Sequence, residues 1–153
     1  MEKDKLILSY LRKDARASLT SMSRQTRIPV STLYERIKKS EIIKKHTSLL
    51  DFDKLGYSAR AKVLLKVNKE NREALRGFLC KCQFINELIK VNNGYDFLVE
   101  FVFQNMRELE HYLEALGNKF DIEDEKVYYV VDELKKECFM SNPDLLKIGK
   151  DYK

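Results

Sequence analysis

The first third of the chain places apolar side chains at helical spacing in three short stretches. The first stretch predicts a helix over residues 3–13. The second predicts a helix in which Leu19, Met22 and the methyl group of Thr26 form one stripe, with Ser18 positioned to cap it. A third helix follows directly. Three short helices in close succession are typical of a helix–turn–helix domain.

The third helix is predicted to begin after Pro29, which has no backbone N–H and interrupts the helical pattern. Ser31 is its predicted N-cap, and Leu33 and Ile37 form an apolar i, i+4 pair. The other faces are polar and basic, as expected of a helix that packs by one stripe and contacts DNA with the rest. Residues 42–50 then change to β-branched, strand-like character, which predicts a winged variant of the domain.

Candidate DNA contacts in this region divide by their chemistry. Cationic side chains neutralise phosphates, and polar side chains near the start of a recognition helix reach base edges. The alternative is a surface helix whose charges are only solvated. The phosphate candidates are Arg36, Lys38, Lys39 and Lys44, and the base-edge candidates are Ser31, Thr32 and Glu35.

The remaining two thirds of the chain alternate between strand spacing and helix spacing. The order βαββαβ predicts a ferredoxin-like α+β domain, in which two helices cover one face of an antiparallel sheet. Apolar side chains on both faces of the strands predict that the uncovered face is buried against a second copy of the chain. The predicted strands are residues 61–67, 85–91, 97–103 and 127–131, and the predicted helices are residues 75–82 and 109–116.

Turn-forming residues mark the domain boundary and one hairpin. A connector with aspartate and glycine places the boundary near Asp53. Asn93 followed by Gly94 is a strong hairpin signal, because both residue types tolerate positive φ. The predicted division is a winged helix–turn–helix domain over residues 1–53, a ferredoxin-like domain over residues 54–134 and a tail over residues 135–153.

Charge is distributed unevenly along the chain. Residues 1–50 hold 12 basic and 5 acidic side chains, whereas the remainder holds 17 basic and 19 acidic side chains. A basic first third attached to a slightly acidic remainder indicates that one part faces a polyanion and that the other part has a different task. Double-stranded DNA is therefore the expected partner of the first domain.

Several classes of protein are disfavoured by what the sequence lacks. No apolar run approaches the roughly 18 residues of a membrane span, and no signal peptide is evident, so a cytoplasmic location is expected. The chain has three cysteines, an odd number, and none of them forms a Cys-x-x-Cys pair. This pattern predicts free thiols at Cys80, Cys82 and Cys138. No Ser/His/Asp group, phosphate-binding glycine loop or paired metal ligands occur, so neither catalysis, a cofactor nor a metal site is expected.

Four segments of the chain carry a family likeness. They are an opening helix with an Asp-Ala-Arg step in residues 4–16, a recognition-helix signature in residues 31–37, a wing and linker in residues 42–57, and a Gly-x-Asp turn in residues 93–97. Together these segments resemble the Lrp/AsnC family, the feast/famine regulators of bacteria and archaea. The likeness extends over the chain to about Leu134.

The resemblance implies a transcriptional regulator that acts as a homodimer and often assembles further. It also implies that an amino acid or related effector binds near the Gly–Asp turn of the second domain, with Gly94, Tyr95 and Asp96 as candidate contacts. A hairpin turn without a ligand remains the alternative for these residues, because Asn-Gly turns are common for backbone reasons alone.

Two rival functions share this architecture. One is a nucleoid-like architectural protein that coats DNA with little sequence preference, against which an acidic Glu35 on the DNA-facing side argues. The other is an enzyme resembling the sirohaem decarboxylases, which would need histidine and arginine to converge on a cavity. His111 is the one histidine of the predicted second domain, and its position in the helical pattern predicts that it is solvated.

Overall fold

The computed structural model describes residues 2–148, which form two compact units. The first unit comprises the residues up to Ser48 together with the segment that begins at Leu134, and the second comprises Leu49–Glu133. The predicted boundary after residue 53 therefore falls inside the second unit. The described part of the predicted tail over residues 135–153 belongs to the first unit, and its last five residues lie outside the described residues.

The first unit contains the three predicted helices, α1 (Glu2–Lys13), α2 (Leu19–Thr26) and α3 (Val30–Lys38). They pack around a small core of Ile7, Met22, Ile28 and Leu33, which confirms the apolar stripes predicted from the sequence. The predicted cap of α2 is also confirmed, because the Ser18 hydroxyl accepts from the backbone N–H of Ser21 at 3.1 Å. A short helix, α6 (Leu145–Ile148), closes the described part of this unit.

The start of α3 differs from the prediction, because Ser31 is not its N-cap. The helix begins at Val30 with Pro29 in the cap position and no side-chain cap hydrogen bond. Pro29 has a φ of −55°, already close to helical, and its carbonyl accepts from the N–H of Leu33 at 3.0 Å. Because proline allows the helix to start at once, Ser31 lies within the first turn.

The strand predicted over residues 42–50 is not formed. Within residues 2–148, no strand occurs between α3 and the first strand of the second unit. Ile42, Leu49 and Leu50 are 57–68% exposed, so their strand-like character is not matched by burial. A strand needs a partner for its backbone N–H and C=O groups, and residues 42–50 form no backbone–backbone hydrogen bond with the rest of the described chain.

The second unit has the predicted βαββαβ order. Its elements are β1 (Ala59–Val67), α4 (Arg72–Leu79), β2 (Ile85–Lys90), β3 (Phe97–Phe103), α5 (Met106–Phe120) and β4 (Ile122–Tyr129). The strands lie in the order β2-β3-β1-β4, and every neighbouring pair is antiparallel. The ferredoxin-like fold is thus confirmed, although β4 starts five residues before its predicted beginning at 127 and ends two before its predicted end at 131.

The sheet buries one face against α4 and α5. The alternate residues of β1 from Ala59 to Val67 are at most 3% exposed, and they pack with Leu75, Leu79 and Leu109 from the helices. On the opposite face Leu64 and Leu98 are only half-buried. Neither of the described helices of the second unit, α4 and α5, lies on this second face, as the sequence predicted.

Cys80, Cys82 and Cys138 are free thiols. Within residues 2–148 no helix combines the length and the apolar character needed to cross a bilayer.

Ser9 is a buried polar residue in α1 whose replacement should stabilise the first unit. Its side chain is fully buried, and its hydroxyl has no hydrogen-bond partner within the described residues. Ser9→Ala removes this unsatisfied group and improves helix propensity, so we expect about 1 kcal/mol of added stability. Thermal unfolding followed by circular dichroism should show a higher midpoint.

Ser18→Ala is the matched control for this prediction. It removes the same hydroxyl from the same unit, but there the hydroxyl caps α2, so about 1 kcal/mol should be lost. A lower midpoint for Ser9→Ala would contradict the prediction and indicate that the Ser9 hydroxyl is hydrogen-bonded.

Candidate nucleic-acid interface and effector site

The structure places the predicted DNA-contact residues of α3 on one exposed side of the helix. Ser31 and Glu35 are exposed and Thr32 is half-buried, whereas Leu33, between them in sequence, is completely buried. The helix is therefore attached through a narrow apolar stripe and offers its polar side to a partner. This division is the one that entry into a DNA groove requires.

Arg36 is held by an ion pair that connects α3 to α1. Its Nη1 lies 2.6 Å from Oδ1 of Asp4, and the two side chains are 40% and 33% exposed. A guanidinium group has five N–H donors, so the bond to Asp4 leaves others for a phosphate. Asp4 therefore orients Arg36 while also reducing the local positive charge.

The two lysines of α3 also have partners within the helix. Nζ of Lys39 lies 2.8 Å from Oε2 of Glu35, one helical turn earlier. Nζ of Lys38 lies 5.6 Å from the centre of the Tyr34 ring. Both interactions are exposed and weak, so a DNA phosphate can replace them. Lys44, by contrast, is exposed and has no ion pair within residues 2–148.

Two exposed arginines at the end of α2 were not among the predicted DNA contacts. Arg24 lies in the last turn of α2, and Arg27 ends that helix with φ 57° and ψ 28° in the left-handed region. Both side chains are exposed. The sequence offered a signal, since Arg27 stands directly before the Ile28–Pro29 break, where a tight turn was expected.

The second predicted site contains the hairpin turn between β2 and β3. Asn93 and Gly94 have φ values of 63° and 90°, which confirms the predicted turn. No atom lies within 4 Å of where a Cβ of Gly94 would be, so the backbone conformation, and not lack of space, favours glycine there. The backbone N–H of Val91 donates to the carbonyl of Asp96 at 3.0 Å and closes the turn.

Asp96, a predicted effector contact, is already occupied within the second unit. One carboxylate oxygen accepts from the backbone N–H of Val67 at 3.0 Å, and the other lies 2.7 Å from Nε of Arg72. The carboxylate thus joins the end of β1 to the start of α4. The Asp96 side chain is only 12% exposed, so these two contacts give it a structural role, and its contact with an effector stays a prediction.

Tyr95 is more accessible and belongs to a small polar cluster beside the turn. Its hydroxyl donates to Oδ2 of Asp124 at 2.7 Å, and Nζ of Lys126 lies 5.4 Å from the centre of its ring. The hydrogen bond to Asp124 raises the pKa of Tyr95 above its ordinary value. The cluster therefore combines a hydroxyl, a carboxylate and an ammonium group near the backbone of Gly94.

The face of the sheet that carries no helix has an ionic network at one end. Glu100 is 3% exposed and accepts from Nη2 of Arg60 and from Nδ2 of Asn86, both at 2.8 Å. Nη2 of Arg60 also donates to Glu133 at 2.6 Å, and the Phe52 ring lies 5.2 Å from the guanidinium carbon. Phe52 precedes β1 in the sequence and Glu133 follows β4, and both lie against Arg60 at this end of the face.

His111 lines an open depression of about 670 Å³ on α5. Glu110, Glu114 and Glu125 share the depression with Arg107, and burial together with the Glu110 charge raises the pKa of Glu125. His111 itself is exposed, as predicted. Among the described residues, no group of three histidine, cysteine or acidic side chains is arranged to hold a metal ion.

Comparisons with known proteins agree with this geometry. Residues 2–39 match a family described as winged helix-turn-helix DNA-binding. The HTH-type transcriptional regulator FL11 of Pyrococcus horikoshii is 35% identical over 120 residues, covering 76% of this chain and 80% of that protein. Transcriptional regulator AzlB of Bacillus subtilis is 29% identical over 118 residues, covering 73% of this chain and 75% of that protein.

Solved structures share the fold at low sequence identity. The transcriptional regulator NMB0573 of Neisseria meningitidis, solved as an L-Met complex, has a TM-score of 0.81 with 19% identity and covers 89% of this chain and 92% of its own. AsnC of E. coli has a TM-score of 0.77 with 17% identity and covers 89% of this chain and 95% of its own.

Proposed function

The chain belongs to the Lrp/AsnC family of helix–turn–helix transcriptional regulators, and from this premise we propose that it binds its operators as a homodimer through α3. The observation that carries the proposal is the polar, basic side of α3, attached to its unit by the buried Leu33. The first unit is assigned DNA binding, and the second is assigned dimerisation and the response to an effector. As a DNA-binding regulator it acts in the cytoplasm, and no catalytic step is part of its role.

The proposed DNA contacts follow from side-chain chemistry. Polar groups in the first turns of α3 face the base edges, and cations along it and after it face phosphates. Binding replaces the internal ion pair of Lys39 with a phosphate contact, whereas Arg36 uses its free N–H groups and keeps Asp4. The base contacts are Ser31, Thr32 and Glu35, and the phosphate contacts are Arg36, Lys38, Lys39 and Lys44.

The proposed dimer interface is the face of the sheet that carries no helix. Ile89 and Tyr128 are 40% and 56% exposed there, beside the half-buried Leu64 and Leu98. An apolar area of this kind on one face supports burial against a second copy. A two-fold dimer carries two α3 helices, so its preferred DNA site is a pseudo-palindrome.

The proposed effector is an amino acid or a related small molecule bound beside the β2–β3 turn. A relative of the same fold is described as an L-Met complex, which supports this class of ligand. Asp96 is largely buried and already binds Arg72 and Val67, so the more accessible groups for a ligand are the backbone of Gly94 and the side chain of Tyr95. A ligand at Tyr95 would replace the exposed hydrogen bond from its hydroxyl to Asp124. Binding there would shift how dimers assemble, which couples the effector to DNA affinity.

The test of this function is selection of DNA from a random pool with the purified full-length protein. We expect a pseudo-palindromic enriched sequence, whose binding should weaken steeply as salt increases. A flat, salt-sensitive profile would indicate the architectural role instead. Absence of binding at low salt would overturn the proposal.

Arg36→Ala tests the assignment of phosphate contacts on the selected site. The variant should bind more weakly to all sequences, and the slope of log affinity against log salt should fall by about one. Lys81→Ala, an exposed lysine of the second unit, is the matched control and should leave the slope unchanged. An unchanged slope for Arg36→Ala would remove Arg36 from the phosphate contacts.

A further inference from the structure

The turn between α2 and α3 contains an arginine in a backbone conformation that is unfavourable for residues other than glycine. Arg27 has φ 57° and ψ 28°, and its backbone N–H donates to the carbonyl of Ser23 at 2.9 Å to end α2. The left-handed region brings Cβ too close to the backbone, so glycine is the usual residue at such a helix end. The fold needs the backbone conformation at this position, but it does not need an arginine.

The Arg27 side chain makes no interaction that would offset this strain within the described residues. It is exposed and forms neither a hydrogen bond nor an ion pair in residues 2–148. Packing at the turn comes from the next residue, Ile28, which is 6% exposed and belongs to the core of the unit. A strained residue without a structural benefit indicates a functional reason for its side chain.

The distribution of free positive charge suggests what that reason is. Arg36, Lys38 and Lys39 on α3 each have an internal partner. Arg24 and Arg27 have no ion pair within residues 2–148, so their charges are available without losing an existing contact. They lie at the end of α2, the helix that crosses the DNA backbone when the recognition helix occupies the major groove.

We propose that Arg27 binds a DNA phosphate next to the groove that α3 enters, with Arg24 beside it on α2. This inference rests on the proposed DNA binding through α3 and adds a second set of contacts to it. The guanidinium group suits this role because it remains charged and can bind phosphate with two parallel N–H donors. On this proposal the strained backbone at Arg27 lowers the stability of the first unit, and its side chain increases the affinity for DNA.

Three substitutions of Arg27 separate strain from charge. Arg27→Gly removes both, so the thermal unfolding midpoint should rise by about 2–4 °C while DNA affinity falls about three- to tenfold and the salt slope falls by about one. Arg27→Gln removes the charge and keeps the strain, so only binding should weaken. Arg27→Lys keeps both the charge and the strain, so the salt slope and the midpoint should remain close to those of the parent protein.

The experiment measures binding of the full-length protein to a mixed-sequence DNA duplex over a series of salt concentrations, together with thermal unfolding by circular dichroism. Lys81→Gln, at an exposed lysine of the second unit, controls for the loss of one positive charge outside the DNA-binding unit. An unchanged salt slope for Arg27→Gly and Arg27→Gln would overturn the phosphate contact. A lower midpoint for Arg27→Gly would overturn the argument from strain. Failure of the unsubstituted protein to bind DNA would instead refute the proposed function itself.

Discussion

Glu100→Ala is expected to lower the free energy of unfolding of the second unit by about 3 kcal/mol. The Glu100 side chain is 3% exposed and compensates the charge of Arg60, which is 14% exposed. Burial disfavours the charged guanidinium, but the hydrogen bonds that Arg60 donates to Glu100 and Glu133 outweigh burial and raise the pKa of Arg60. A guanidinium group is protonated in proteins whatever its surroundings, so Arg60 stays charged after the substitution. Among the described residues it then keeps the partly exposed Glu133 as its acidic partner at hydrogen-bonding distance.

Urea unfolding of the full-length protein, followed by circular dichroism, measures this effect. Glu87→Ala is the matched control, because Glu87 is opposite Glu100 in the β2–β3 register and pairs with Lys62 at 3.1 Å. Both of its charged groups are 42–48% exposed, so the loss should be about 0–1 kcal/mol. If Glu100→Ala and Glu87→Ala lost the same free energy of unfolding, burial of the Glu100 network would add nothing to stability.

Strands and helices with one buried face could be predicted from the sequence because their pattern is local. The alternation of β1 and the helical spacing in α5 located both elements within a few residues. The start of β4 was missed because Glu123, Asp124 and Glu125 follow Ile122 and all three are exposed. An edge strand that is solvated along its first half shows no apolar alternation, so local pattern does not reveal it.

Contacts that depend on how the chain packs could not be predicted in the same way. The domain boundary was predicted near Asp53, whereas Phe52 packs against Arg60 and the second unit already begins at Leu49. On α3 the polar side could be predicted from helical spacing alone. The pairing of Arg36 with Asp4, however, joins residues 32 positions apart and depends on how α1 and α3 pack.

The contacts of Asp96 in the candidate effector site also join residues that are distant in the sequence. The resemblance suggested Asp96 as a ligand contact, whereas the structure shows its carboxylate bound to Val67 and Arg72. Asp96→Ala should lower the free energy of unfolding by about 2–3 kcal/mol. It leaves the N–H of Val67, a residue that is 2% exposed, without its side-chain acceptor, and it removes the partner of Arg72.

Asp96→Asn and Tyr95→Phe separate structure from effector binding. Asp96→Asn keeps an acceptor for the Val67 N–H and loses only the charge opposite Arg72, so it should recover part of the lost stability. Tyr95→Phe removes an exposed hydrogen bond to Asp124 and should leave the unfolding free energy within about 0.5 kcal/mol of the parent value. Urea unfolding of the three variants measures these differences.

Tyr95→Phe is therefore the cleaner variant for testing effector binding, because the fold does not depend on that hydroxyl. If an amino acid binds beside the turn, Tyr95→Phe should alter the effector response with stability unchanged, whereas Asp96→Ala should alter both together. An Asp96→Ala protein of parental stability that no longer responds to the effector would reverse this assignment. Asp96 would then be a ligand contact, and its bonds to Val67 and Arg72 would be dispensable for the fold.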